Sequence, residues 1–189
     1  MSRVPFSGPK TQLSREQAIE RYILLRLRVE EINRLGFLVE GLHAGTILLS
    51  NDACFSRGDL KDVVRTAFFG WFATLTDKKD KAIYAFDPLL KLFPGKQAHI
   101  YKVQRECEVC HPMLQQFRNN VAFHSSAEFA SHIKARRALR ENDTFLDLES
   151  ARQDFQSLMA ELISEELDAI PELPEKLTHF GISHHPAFS

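Results

Sequence analysis

Residues that break, cross-link or loosen a chain are scarce in this sequence. Gly and Pro number 8 each among 189 residues, too few for a collagenous or low-complexity chain. There are 3 Cys (Cys54, Cys107 and Cys110), an odd number. The opening MSRVPFSGPKTQLSREQ has no apolar stretch after its Arg3, so a secretory leader is not expected. Free thiols in a reducing, cytoplasmic compartment follow as the expectation. The longest apolar run, AFFGWFATL (67–75), is about nine residues. A membrane-spanning helix needs roughly 20, so no membrane partner is expected. The phosphate-loop, dinucleotide-loop, zincin and nucleophile-elbow patterns do not occur in the sequence.

The apolar content is substantial. The chain is 44% hydrophobic and carries 15 Phe against 1 Trp and 3 Tyr, enough to build a core and to exclude wholesale disorder. The net charge of −1 hides an asymmetry. Residues 1–140 carry 22 Lys and Arg against 14 Asp and Glu, whereas residues 141–189 carry 2 against 11. Two readings follow: a basic face for RNA or another acidic partner, or an acidic end that lies along the basic body and neutralises it.

The apolar spacing is helical throughout, and no segment alternates with a period of two. Residues 1–13 read as a loose arm. Ser14 and Gln17 form a capping box that opens a helix over roughly 15–49, with Ile19, Ile23, Leu27, Leu35, Leu38, Leu42 and Leu49 on its apolar positions. Gly36, Gly41 and Gly45 weaken it. A second helix is expected at about 59–77, and a short one at 81–92 interrupted by Pro88. A long one follows at about 96–124, kinked or divided by Pro112. Ser125 and Glu128 cap a basic helix over 126–140. The polar ENDT (141–144) is expected as a break before a last helix at roughly 146–169, which Pro171 and Pro174 end. Residues 171–189 read as a tail. The expected class is all-α: one domain over 14–170, a compact antiparallel bundle of about five to six helices.

Three strings carry chemistry. CEVCH, Cys107 to His111, has the spacing of haem c attachment, or of three zinc ligands that would need a fourth such as His99 or Cys54. Two half-buried thiols beside Pro112 are the plainer reading, so neither metal nor cofactor is expected. His184-His185 belong to the tail. RNNVAFH, Arg118 to His124, pairs a permanently charged phosphate binder with a group that titrates near neutrality. An Arg and a His facing one phosphate suffice for RNA cleavage without a metal, because the 2′-hydroxyl is an internal nucleophile. The plainer reading pairs Arg118 with an acid such as Asp77 and lets His124 cap a helix end beside Ser125.

RNNVAFH, preceded by a helix ending in Leu75-Thr76-Asp77, resembles the motif of the HEPN superfamily, in its abortive-infection and toxin branch. The resemblance implies a HEPN-type helical fold and a metal-independent endoribonuclease acting in toxin or phage-defence roles. It also implies a homodimer with the motif at a two-fold interface, and an antitoxin or regulatory protein as partner. Arg118 would bind phosphate, His124 would be the acid/base and Asn119 would orient the site, with Asn120 and Asp77 in support. Other members of the superfamily are catalytically silent and bind a protein or nucleotide. On an ideal helix Arg118 and His124 stand roughly 120° apart and about 9 Å along the axis. Asn120 and His124 share a face, at i and i+4. A second copy of the chain would complete the site.

Overall fold

The computed structural model describes residues 13–46, 67, 69–70, 72–78, 84–117 and 142–188. The arm before residue 13, the turn near 51–58, the start of the helix expected at 59–77 and the basic helix at 126–140 lie outside the described residues. Every regular element among the described residues is helical.

The first helix, α1, spans Arg15–Ala44. Its capping box is closed: Gln17 N–H donates to Ser14 Oγ at 3.1 Å, and Ser14 N–H donates to Gln17 Oε1 at 3.1 Å. Gly36 and Gly41 do not interrupt it. Gly45 ends it in the left-handed conformation, φ 75°, which a residue with a Cβ adopts only at a cost. The buried stripe runs through Ala18, Tyr22, Leu25, Val29 and Ile32, with Ile19 and Ile23 beside it. Leu38, expected on that stripe, is exposed.

Residues 69–70 and 72–76 are helical and bury Phe69, Phe72, Ala73 and Leu75. The chain then returns: Ala85 N–H donates to the Leu75 carbonyl at 3.0 Å. α2 spans Phe86–Leu92. Pro88 sits in its first turn, where a missing N–H costs nothing, so it does not interrupt the helix. Pro94–Lys96 make one 3-10 turn, and α3 spans Gln97–Phe117. Pro112 lies inside α3 on an exposed position. There the carbonyl it leaves unpaired can be hydrated, and the helix is not divided.

α4 spans Asn142–Ser164. Residues 142–144 of the ENDT segment are helical, so they do not form the expected break. α5 is the short Glu166–Ala169. α3 packs along α4, and α1 packs along α2. Phe155 of α4 meets Phe72 and Phe86 in tilted, edge-on contacts, with ring centroids 5.8 and 5.9 Å apart. Edge-to-face pairs of this kind add about 0.5–1.5 kcal/mol beyond the area they bury.

The residues expected as a tail hold a helix, α6, Leu173–His179, and a 3-10 turn at Pro186–Phe188. Pro174 ends nothing; it lies in the first turn of α6. Leu173, Leu177 and Ala187 are buried. This segment is clasped to α1. Tyr22 OH donates to Glu166 Oε2 at 2.6 Å. Arg26 Nε lies 3.2 Å from the same oxygen, an ionic contact too poorly aligned to count as a hydrogen bond. The Arg26 guanidinium also lies over the Phe188 ring, 5.0 Å from its centroid. Arg15 makes a two-pronged contact with Glu172 at 2.9 and 3.0 Å, and Lys176 reaches Glu16 at 2.6 Å. Farther along, Lys96 lies 2.7 Å from Glu161 and 2.5 Å from Glu165. Carboxylates of the acidic end thus meet Arg15, Arg26 and Lys96 of the preceding chain.

Two predictions follow from the core and the clasp. Phe86 is fully buried, so Phe86→Ala should cost about 3–5 kcal/mol in urea unfolding; a loss below about 1 kcal/mol would contradict the packing. The second concerns pH. Arg15 holds the Glu172 carboxyl down at about 2, and Lys96, followed by His99, holds Glu161 below its ordinary value. Groups lowered in the fold contribute stability above the unfolded carboxylate range, about 4.3, and lose it as pH falls toward their folded values. Burial, with the nearby carboxylates Glu166 and Glu108, pushes the Tyr22 and Tyr84 phenols up. Their contribution is present below about pH 10 and lost as pH rises beyond it. Thermal melts should show a plateau at neutral pH, a fall between about pH 4 and 2 that Glu172→Gln makes smaller, and a fall above about pH 10. A melting temperature that is flat from pH 6 to 2 would refute this.

Candidate functional site

The helix that leads to the RNNVAFH string is built from a regular stripe. Ile100, Val103, Cys107, Cys110 and Leu114 are buried, at the alternating three- and four-residue spacing that keeps one face of a helix inward. They fix α3 in the core up to its last turn. The described part of α3 runs to Phe117, the residue before Arg118 in the sequence. Arg118, Asn119, Asn120 and His124 lie outside the described residues, as does Ser125. Of the anticipated site residues, Asp77 is the one whose position is described. It is buried directly after helical residues 72–76, and its N–H donates to the Thr74 carbonyl at 3.4 Å.

Beside Asp77 in the chain stands a polar cluster between the 77–84 connection and α3. Gln104 Nε2 donates to Tyr84 OH at 2.8 Å and to Glu108 Oε1 at 2.7 Å. Lys78 Nζ lies 2.6 Å from that same Glu108 oxygen. Partial burial works to raise the Glu108 carboxyl, but Lys78 and Gln104 together hold it below its ordinary value. Burial, then the Glu108 charge, raises the Tyr84 phenol. It is therefore a neutral hydrogen-bonding group at physiological pH and not a base. The cluster pins the connection carrying Asp77 onto the helix that leads to Arg118. Sequence reasoning did not find it. Its one legible part was the i, i+4 spacing of Gln104 and Glu108 on a helix; Tyr84 and Lys78 join them only through the fold.

The CEVCH string resolves into core packing at its thiols. Cys107 and Cys110 are buried and unbridged. Burial, and then the neighbouring Cys110, push the Cys107 thiol well above its ordinary value, and a metal ligand or nucleophile would need the thiolate. His99, the candidate fourth ligand, places Nδ1 2.8 Å from Glu161 Oε2. Among the described residues no group of three or more His, Cys, Asp or Glu is arranged to hold a metal ion. Cys54 lies outside them.

An open apolar cleft of about 680 Å³ lies at the end of α1, lined by Arg34, Phe37, Leu38, Gly41, Ala44 and Thr46 among others. No set of polar groups converges in it. No helix among the described residues is long and apolar enough to cross a membrane. Comparison with known proteins adds no relative: no family model, no curated protein and no solved structure matches the chain.

The burial of the thiols carries a prediction. Purified protein should show no Soret band and less than stoichiometric zinc. One zinc per chain by elemental analysis, lost on Cys107→Ser, would overturn the core-packing assignment of the string.

Proposed function

We propose that the chain is a HEPN-like, metal-independent endoribonuclease that acts as a homodimer in a cytoplasmic toxin or phage-defence role. The observation that carries the reading is the Arg118–His124 string itself, which pairs a phosphate-binding group with a group suited to proton transfer. It follows directly in the sequence on Gln97–Phe117, a helix anchored in the core of an all-helical set of described residues. In this reading Arg118 grips the phosphate and Asn119 orients it, with Asn120 and Asp77 in support. The RNA 2′-hydroxyl attacks phosphorus and forms a 2′,3′-cyclic phosphate while the bond to the 5′-oxygen breaks. One imidazole accepts the proton from the 2′-hydroxyl and one donates a proton to the leaving 5′-oxygen. The two-fold supplies a His124 for each task. An antitoxin or regulatory protein fits the same role as a partner.

A second reading is a catalytically silent helical module that binds a protein partner. It is favoured by the cleft at the end of α1, where Phe37 is 75% exposed. Large exposed apolar side chains beside a concavity are a recurring mark of binding surfaces.

Mutagenesis separates the two. Arg118→Ala and His124→Ala should each lower RNA cleavage by about 100-fold or more while leaving the melting temperature near that of the wild type. Cleavage should survive EDTA and leave 2′,3′-cyclic phosphate ends. Mixing the two single mutants should restore a sizeable fraction of activity if each site takes its Arg from one chain and its His from the other. It should restore little if each site uses both residues of both chains. A stable dimer that cleaves none of the RNAs tested would leave the binding module.

A further inference from the structure

The outer face of α3 has a composition that the nuclease reading does not use. Ala98, Tyr101, Lys102, Arg105, Val109 and Pro112 are all exposed. At 100° per residue they fall within about 100° of arc, opposite the buried stripe of Ile100 to Leu114. Tyr101 is 49% exposed and Val109 80%. No carboxylate stands on this face. Glu108, at its edge, is taken up by Lys78. Glu106, on the flank, is 3.7 Å from Lys102, a loose surface pair of the kind that contributes little. Arg105 has no ion-pair partner among the described residues.

We infer that this face of α3 is a docking track for single-stranded RNA, with Tyr101 stacking on a base and Arg105 and Lys102 holding adjoining phosphates. The inference rests on the nuclease reading for its ligand and names the substrate form and the residues that receive it. Tyr101 and Arg105 are i and i+4, so an aromatic surface and a cation lie about one helical turn apart, a rise of about 6 Å. Cations interleaved with an aromatic platform are how single strands are held without sequence preference. A duplex fits poorly, because its bases are already stacked and its recognition spreads over successive grooves. A docked protein fits poorly as well. Tyr101, Val109 and Pro112 are divided by two cations and do not form the contiguous apolar patch that a partner helix would cover. The track leads toward the motif: Tyr101 is about 24 Å along the axis from Phe117, the residue before Arg118.

The test is fluorescence anisotropy with the full-length protein and a labelled oligouridylate whose 2′-hydroxyls are methylated, so that it cannot be cleaved by internal attack. Tyr101→Ala and Arg105→Ala should each weaken binding by about fivefold or more. Tyr101→Phe should bind within about twofold of wild type, because a phenyl ring stacks as well. Lys91→Ala, which removes an exposed cation from α2, should also change binding by less than about twofold. An RNA duplex of equal length should bind more weakly than the single strand. Unchanged binding by Tyr101→Ala, or a duplex that binds as tightly as the single strand, overturns the inference. So does a Tyr101→Ala protein that loses self-association while binding RNA normally, since the face would then belong to a second copy. The two readings fail separately. Wild-type cleavage of RNA by Tyr101→Ala and Arg105→Ala, with KM unchanged, removes the track and leaves the nuclease. Single-strand binding through this face by a protein that cleaves nothing removes the nuclease and leaves the track.

Discussion

The arrangement of the described helices turns on one buried carboxylate. Glu166 stands at the start of α5, where the long α4 has just ended, and is nearly inaccessible to water. A carboxylate in that position is tolerable only if it is paired, and losing one partner of a buried pair typically costs about 3–5 kcal/mol. Its partners, Tyr22 and Arg26, are four residues apart on one face of α1. That requirement fixes where α4 must end, which turn of α1 it must meet, and from which side the following residues approach. Ile170, Leu173 and Leu177 then add the burial that holds the segment down.

Local patterns in the sequence were enough for the helical class and for some helix boundaries, such as the start of α1 and the end of α2. Ser14 and Gln17 announced the start of α1 because a capping box is a local hydrogen-bonding device. Gly45, expected only to weaken a helix running to about 49, ends it at Ala44 by adopting the left-handed conformation. Ala151, Phe155, Leu158 and Leu162, spaced three and four apart, form the inner face of α4. The reading failed where tertiary contacts outvote local rules. Pro171 and Pro174 look like stops, yet Pro174 lies in the first turn of a new helix whose apolar side chains have a core to enter. Leu38 fits the periodicity of α1 but is exposed. Tyr22, Arg26 and Glu166 were invisible as a group, because no spacing rule links residues 144 apart.

The candidate site was legible to a different degree. RNNVAFH can be picked out by residue type, because Arg and His suit metal-free phosphoryl chemistry, but it lies outside the described residues. CEVCH was equally conspicuous, yet its two thiols are packing groups. A short string states which chemistry is affordable, whereas burial and neighbours decide whether it is used. The Tyr84, Gln104, Glu108 and Lys78 cluster shows the converse: unremarkable residues that together fix the connection bearing Asp77.

The clasp between α1 and the acidic end also bears on the order of assembly. Arg15 leaves the ribosome 157 residues before Glu172. At about 5–20 residues per second that interval is roughly 10–30 s. Through nearly all of it Arg15 has no Glu172, and Tyr22 and Arg26 have no Glu166 to meet, although Arg28 and Arg34 already have Glu31 and Glu30 within α1. The final closure joins residues at the far ends of the described chain, the kind of non-local contact that slows folding. Until residues 141–189 are made, residues 1–140 form a strongly basic nascent segment, and the acidic stretch that follows neutralises it.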